Sequence, residues 1–292
     1  MVKIPMKPGT ATVMEYYVPS QLLFQVSLES LPLPDGSLLG SHYHFVRLSS
    51  DRELVKMKSN AIGCKDDTAV LYGGLQYDVE TTAMAEESKK YDLSNLLAIR
   101  GEIARGDSIF HDLQGTKEEI FKIENILKDN KWQVTPYMGK NGTEESFLDM
   151  NGKSPRLLHL ATHGFYYTPN KAEDVDYLKG YTDAMFLSGL VMSGGNAAWL
   201  GKQLPKGVLG GILTANDIAR LDLSNTDMVV LSACQTGQGK ATSEGLYGLQ
   251  RAFKKAGVGT IVMSLWNVSD KTTSEFMTTF YERLADKKNA WN

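Results

Sequence analysis

Cysteine is scarce in this sequence, since among 292 residues there are only Cys64 and Cys234. Two thiols so far apart do not build a disulfide framework, and they lack the spacing of a zinc site. An excess of one charge is missing as well, because 31 Lys and Arg residues stand against 34 Asp and Glu residues, for a formal net charge of −3. This balance creates no broad field toward nucleic acid or an anionic membrane, so we expect neither as a partner.

Long apolar runs are also absent. No stretch approaches the roughly 18 consecutive apolar residues of a membrane helix, and the first residues, 1–5, do not resemble a signal peptide. Hydrophobic residues nevertheless make up 42% of the chain, which is enough to form a sizeable buried core. We therefore expect a globular protein located in the cytoplasm.

The hydrophobic pattern predicts an α/β fold. Short apolar runs alternate with amphipathic helical stretches, which is typical of βα units and a mostly parallel sheet. Strands are predicted at 13–18, 69–72, 133–137, 157–162, 228–233 and 260–265. The runs at 157–162 and 228–233 are almost entirely apolar, as expected for central strands with helices on both faces.

Helix starts can be predicted from capping residues. We expect helices to begin at Thr116, Thr143, Thr214, Ser243 or Glu244, and Asp270. Glu119 and Asp217 each follow a threonine by three positions, which predicts two capping boxes. Two segments fit no regular element: 80–115 is expected to be a solvated insertion, and the glycine-rich 165–211 a surface excursion beside the active site.

Two predicted strands end in reactive side chains. His163 follows the strand at 157–162, Cys234 follows the strand at 228–233, and glycine-containing turns come next. Ligands of parallel sheets bind beyond the carboxyl ends of the strands, so neighbouring strands would direct both side chains into one crevice. An imidazole there can deprotonate a thiol and later protonate a leaving amine. The amides of Gly164 and Cys234 are then candidates for an oxyanion hole.

Structural roles remain open for each residue taken alone. A cysteine at the end of an apolar strand is commonly a small buried side chain. Successive side chains of a strand point to opposite faces of the sheet, and His159 lies inside the apolar run at 157–162. We therefore expect it to be buried and structural. Residues 237–240 suggest a phosphate-binding loop, but position 234 is not glycine and position 241 is neither serine nor threonine, which excludes that motif.

Five blocks resemble the CHAT family of caspase-like cysteine peptidase domains, which are commonly associated with tetratricopeptide repeats. The blocks are HLATHGF (159–165), LVMSGGN (190–196), VVLSACQTGQG (229–239), EGLYGLQRAF (244–253) and SLWNVSD (264–270). The resemblance implies one domain over 1–292 with a caspase-like three-layer sandwich, whose mostly parallel central sheet has helices on both faces. The family's histidine falls on His163 and its nucleophile on Cys234. The family's usual final strand is missing before Asn292, which predicts an incomplete sheet.

The implied function is a cysteine endopeptidase that cleaves protein substrates and needs no cofactor or metal. The resemblance implies that Trp266 and Asp270 shape the substrate pocket, and Gln235 is a further candidate beside the nucleophile. It also implies control by a sensor or repeat module, in the same chain or another, and a role in bacterial defence or regulated cell death. The alternatives are a non-catalytic, peptidase-like scaffold module and a different acyl transfer by the same two residues.

Overall fold

The computed structural model describes residues 2–3, 13–19, 23, 26–48, 66–93, 109–166, 184–232, 243–263 and 270–285. The chain divides into two compact units, residues 1–64 and residues 65–292, which are described separately. The expected single domain over 1–292 therefore stays a prediction. Of the helices within these ranges, none is both long enough and apolar enough to cross a lipid bilayer.

The first unit contains a small sheet of three strands. These are β1 (Val2–Lys3), β2 (Val13–Tyr17) and β3 (Tyr43–Arg47). β2 lies in the middle, antiparallel to β1 and parallel to β3. Its position confirms the strand predicted at 13–18.

The second unit is built around a parallel sheet. The strands described in this unit are β4 (Thr68–Leu75), β5 (Gln133–Gly139), β6 (Leu157–Leu160), β7 (Gly164–Tyr166), β8 (Ser188–Val191), β9 (Ile212–Thr214), β10 (Met228–Leu231) and β11 (Thr260–Met263). Five of them form the central sheet in the order β11-β10-β6-β4-β5, and every neighbouring pair is parallel. Each lies where a strand was predicted, and the apolar runs of β6 and β10 have the continuous hydrophobicity of strands buried on both faces.

Helices cover both faces of this sheet. They are α1 (Thr81–Ser88), α2 (Gln114–Asp129), α3 (Glu144–Leu148), α4 (Ala184–Leu187), α5 (Gly195–Trp199), α6 (Ala215–Ile218), α7 (Ser243–Lys255) and α8 (Asp270–Ala285). Apolar side chains of α2 and α8 pack on one face, and those of α3, α6 and α7 pack on the other. The predicted caspase-like three-layer sandwich is thereby confirmed. Thr143 caps α3, and Thr214 with Asp217 forms the predicted capping box of α6.

A second, antiparallel sheet of β7, β8 and β9 lies within the segment between β6 and β10. Residues 187–199 are buried, and Leu190 and Val191 of β8 are fully so. The predicted surface excursion over 165–211 is therefore wrong for this stretch. The strands are only three or four residues long, and Gly189 allows β9 to approach closely: a Cβ there would lie 2.2 Å from the carbonyl oxygen of Leu213.

The N-terminal end of α2 packs on a glycine pair in β4. A Cβ at Gly73 would lie 2.5 Å from Cγ1 of Ile120, so only glycine allows this approach. The amide of Gly74 donates to the Thr116 hydroxyl at 2.9 Å, and that hydroxyl donates to the carbonyl of Leu113 at 2.7 Å. The helix begins at Gln114, so Thr116 is its third residue and not its N-cap. The capping box predicted for Thr116 and Glu119 is therefore wrong. A tertiary contact takes the place of the local one.

Glu119 instead belongs to a buried polar cluster with His159 and Tyr281. The hydroxyl of Tyr281, on α8, lies 2.9 Å from Nδ1 of His159, on β6. Nε2 of the same ring lies 3.1 Å from a carboxylate oxygen of Glu119. Burial, and then the Glu119 charge, hold the pKa of Tyr281 well above its ordinary value. His159 is fully buried, which confirms its predicted structural location.

Candidate active site

His163 lies beyond the carboxyl end of β6, the middle strand of the parallel sheet. The neighbouring strand β10 runs in the same direction, with Leu231 opposite Leu160. The amide of Ser232 extends this pairing by donating to the carbonyl of Leu160 at 3.0 Å. The two strands whose ends were expected to be neighbours are therefore neighbours, and ligands of such sheets bind at this edge.

The His163 imidazole is fixed through one of its nitrogens. Nε2 lies 2.7 Å from the backbone carbonyl oxygen of His111, to which it must donate because a carbonyl has no proton to give. In the neutral ring this assigns the proton to Nε2 and the basic lone pair to Nδ1. The residue is only 4% exposed. The site therefore holds one tautomer of the ring, the one whose Nδ1 can accept a proton.

Two aromatic rings enclose the imidazole. The ring of Tyr77 has its centroid 4.9 Å from that of His163, and the ring of Phe110 lies at 5.4 Å. Burial raises the pKa of Tyr77 to about 12, although hydrogen bonding with the Thr162 side chain and with the backbone of His163 opposes this rise. Tyr77 consequently remains a neutral hydroxyl and provides packing and hydrogen bonding without a charge.

Hydrogen bonds also fix the backbone that carries the imidazole. The Tyr77 hydroxyl lies 2.8 Å from the Thr162 hydroxyl, which in turn donates to the carbonyl of Val191. The amide of Val191 then donates to the carbonyl of His163 at 2.8 Å. β4, β6 and β8 are thus connected at this point, which limits the freedom of the His163 main chain.

The amide of Gly164 is oriented by the pairing of β7 with β8. Gly164 lies opposite Leu190, and the bond between Val191 and His163 is one position farther along. In an antiparallel ladder this makes Gly164 and Leu190 a pair without mutual hydrogen bonds. The Gly164 N–H therefore points away from β8, at the edge strand of this sheet. Gly164 is buried, and a Cβ there would lie 3.7 Å from the carbonyl oxygen of Gly189, which is ordinary van der Waals contact rather than a clash.

The other predicted site residues have no described side chains. Cys234, Gln235 and Trp266 lie outside the described residues, and so does Cys64. Asp270 is the first residue of α8, as predicted, but its side chain is not described. Among the side chains that are described, no group of three His, Cys, Asp or Glu residues is placed to hold a metal ion.

Several residues around His163 were not predicted. Phe110 lies in the segment 80–115 that was expected to be solvated, yet it is 3% exposed and contacts the imidazole. His111 contributes through its backbone carbonyl, which leaves no pattern in a sequence. Tyr77 and Asn196 lie in or beside apolar stretches of the sequence. In such a context a single tyrosine indicates core packing and a single asparagine indicates a turn, so neither points to a functional site. Their roles depend on contacts between distant segments.

The fold and this site define a class of protein: a caspase-like α/β sandwich with an oriented histidine at the carboxyl edge of its central sheet. The chain belongs to the CHAT domain family, whose family model matches residues 16–291. It is also similar to the mouse protein named tetratricopeptide repeat protein 28, with 40% identity over 73 residues, or 25% of this chain. The human protein of the same name is 37% identical over 73 residues. The matched part covers 3% of the length of each of these relatives.

Proposed function

We propose that this domain is a cysteine endopeptidase in which Cys234 is the nucleophile and His163 the general acid and base. His163 Nδ1 takes the proton of the Cys234 thiol as the sulfur attacks the carbonyl carbon of the scissile peptide. The amides of Gly164 and Cys234 donate to the oxyanion that forms. His163 then protonates the leaving amine, the C–N bond breaks, and a thioester remains. Water, deprotonated by His163, hydrolyses the thioester and restores the thiol.

The register of the central sheet is the observation that carries this proposal. Each residue of β6 lies opposite the β10 residue 71 positions later, as Leu157 opposite Met228 and Leu160 opposite Leu231. His163 and Cys234 are 71 positions apart as well. Neighbouring strands are separated by about 4.8 Å, so side chains at matching positions are within reach of each other. We infer that the two reactive groups meet where both strands end.

The orientation of His163 and Gly164 supports the same chemistry. The His111 carbonyl holds the proton on Nε2 and so makes Nδ1 the base. The Gly164 amide points away from β8 and remains a suitable donor for an oxyanion. One such donor contributes about 3–4 kcal/mol to transition-state stabilisation in acyl-transfer enzymes.

The substrate we propose is a protein segment bound in extended form, which can add a strand beside the cleft. Gln235, Trp266 and Asp270 remain our candidates for the pocket that holds the residue before the cut. We further propose that a tetratricopeptide-repeat sensor, in the same chain or on a partner, controls the activity. Similarity to two proteins named for these repeats supports this control. The role we propose is regulated proteolysis in bacterial defence or cell death.

A thiol-directed peptide probe tests the assignment. We expect it to label the wild-type chain and the control variant Cys64→Ala, but not Cys234→Ala. In a screen of peptide substrates, His163→Ala is expected to lower turnover at least about 100-fold, because general acid–base catalysis contributes that much. Circular dichroism should show that both site variants keep the wild-type fold.

Two outcomes would contradict the proposal. Equal labelling of Cys64 and Cys234 would show that Cys234 has no special reactivity, as expected for a scaffold module. Normal cleavage by a folded His163→Ala variant would show that another group is the base.

A further inference from the structure

Asn196 binds the backbone next to the group that orients His163. It is the second residue of α5 and is 2% exposed. Its Oδ1 accepts from the amide of Phe110 at 2.8 Å, and its Nδ2 donates to the carbonyl of Phe110 at 3.0 Å. Its own amide donates to the carbonyl of Tyr77 at 3.1 Å. One buried side chain thus satisfies both backbone groups of Phe110 and is itself fixed to the end of β4.

This geometry needs an amide side chain. Only asparagine and glutamine carry a donor and an acceptor side by side on one planar group, as a neighbouring strand would present them. The pair of bonds therefore acts like a short strand pairing for a segment, 109–113, that has no regular structure. The next carbonyl after Phe110 is that of His111, which accepts the proton of His163 Nε2.

Packing strengthens the connection between Asn196 and the imidazole. The ring of Phe110 lies 5.4 Å from that of His163 on one side and 5.2 Å from that of Trp199, also on α5, on the other. A rotation of the Phe110 peptide would therefore displace both the ring against His163 and the carbonyl that follows it.

We propose that Asn196 is a positioning residue: it holds the 110–111 backbone so that the His111 carbonyl selects the Nε2–H tautomer of His163. Its effect on the tautomer follows from the contacts alone, whereas its effect on catalysis rests on the proposed function. The proposal adds to the reactive pair a residue from the segment between β6 and β10.

Tautomer measurement on the wild-type chain is the first test. Long-range ¹H–¹⁵N correlation spectra at a pH where the ring is neutral report which nitrogen carries the proton, and His163→Ala identifies the His163 signal. We expect Nε2–H. An Nδ1–H ring in the wild-type chain would overturn the proposal without any reference to a variant.

Variants of Asn196 provide the second test. Asn196→Ala removes both bonds to Phe110, and Asn196→Asp keeps the acceptor but loses the donor. We expect Asn196→Ala to lower the Nε2–H to Nδ1–H ratio about three- to tenfold, the equivalent of one hydrogen bond, and Asn196→Asp to lower it at least as much, because its second carboxylate oxygen repels the Phe110 carbonyl. The control Asn130→Ala removes a similar bond, from Nδ2 to the carbonyl of Ile126 at 2.8 Å, and should leave the ratio unchanged.

Kinetics separate positioning from substrate binding. We expect Asn196→Ala to lower kcat about tenfold with little change in KM, because the side chain affects the base and not the bound substrate. A folded Asn196→Ala variant with the wild-type tautomer ratio would overturn the proposal. If that variant does not fold, the same criterion applies to Asn196→Asp. A chain without turnover whose tautomer still responds to Asn196→Ala would support the positioning role and contradict the peptidase assignment.

Discussion

Removing the Tyr281 hydroxyl should destabilise the second unit from within its core. Tyr281→Phe keeps the ring that packs among α2, α8 and the sheet but takes away the hydroxyl 2.9 Å from His159 Nδ1. Both residues are fully buried, so water cannot replace the lost partner. A buried polar atom left without its partner costs about 1–3 kcal/mol, and we expect the free energy of unfolding to fall by that amount.

Combined substitution of the whole cluster should behave differently from the single change. When Glu119→Leu and His159→Leu accompany Tyr281→Phe, no polar group remains to be desolvated. Buried ionic groups replaced together by apolar ones are often neutral or stabilising by about 1–4 kcal/mol. We therefore expect the triple variant to be at least as stable as Tyr281→Phe alone.

Urea unfolding followed by tryptophan fluorescence is a suitable assay, because Trp132 packs in the same apolar cluster. Hydrogen exchange of α2 and α8 would localise the effect, which matters in a chain with two compact units. Ordinary surface substitutions change the free energy of unfolding by less than about 0.5 kcal/mol. If Tyr281→Phe changes it by no more than that, the reasoning about the buried hydroxyl is refuted.

Two further predictions concern other buried contacts. Thr116→Val should cost about 1–3 kcal/mol and speed hydrogen exchange of the Gly74 amide, which loses its acceptor; unchanged exchange would contradict the contact. Alkaline pH should weaken folding through Tyr77, whose pKa rises from about 10 to about 12 on folding. Its contribution is complete below pH 10, where both states keep the proton, and is lost as the pH rises through 12. This amounts to about 3 kcal/mol at 1.36 kcal/mol per pH unit. Urea unfolding of Tyr77→Phe across this range should show a correspondingly weaker pH dependence, and an equal dependence would contradict the assignment.

The central sheet could be predicted from the sequence because its signal is local. All five parallel strands were predicted, and the signal is clearest for β6 and β10, since a strand covered on both faces has no polar side to interrupt its apolar run. The small sheet of β7, β8 and β9 was not predicted. Its strands span three or four residues and include glycines, and such short pieces become regular only through pairing with distant partners.

The site could be predicted only where side-chain chemistry itself is the signal. His163 stands out as an imidazole after a buried strand, and the register of β6 and β10 confirms that the strand before Cys234 is its neighbour. The residues that orient the His163 imidazole have no such signal in the sequence. The His111 carbonyl is a backbone group, and Asn196 is meaningful only because the fold brings it to Phe110. Thr116 shows the reverse error, where a local capping pattern yields to a tertiary contact with Gly74.

The pairing of β6 with β10 determines when, during synthesis and folding, the residues that follow these two strands can come together. Closing a loop of 71 residues costs about 4 kcal/mol of chain entropy, which must be recovered by pairing and burial. During synthesis, His163 leaves the ribosome 71 residues before Cys234. Under the proposed mechanism, completing the sheet and bringing the two side chains together are one event, so a partly synthesised chain would have no peptidase activity.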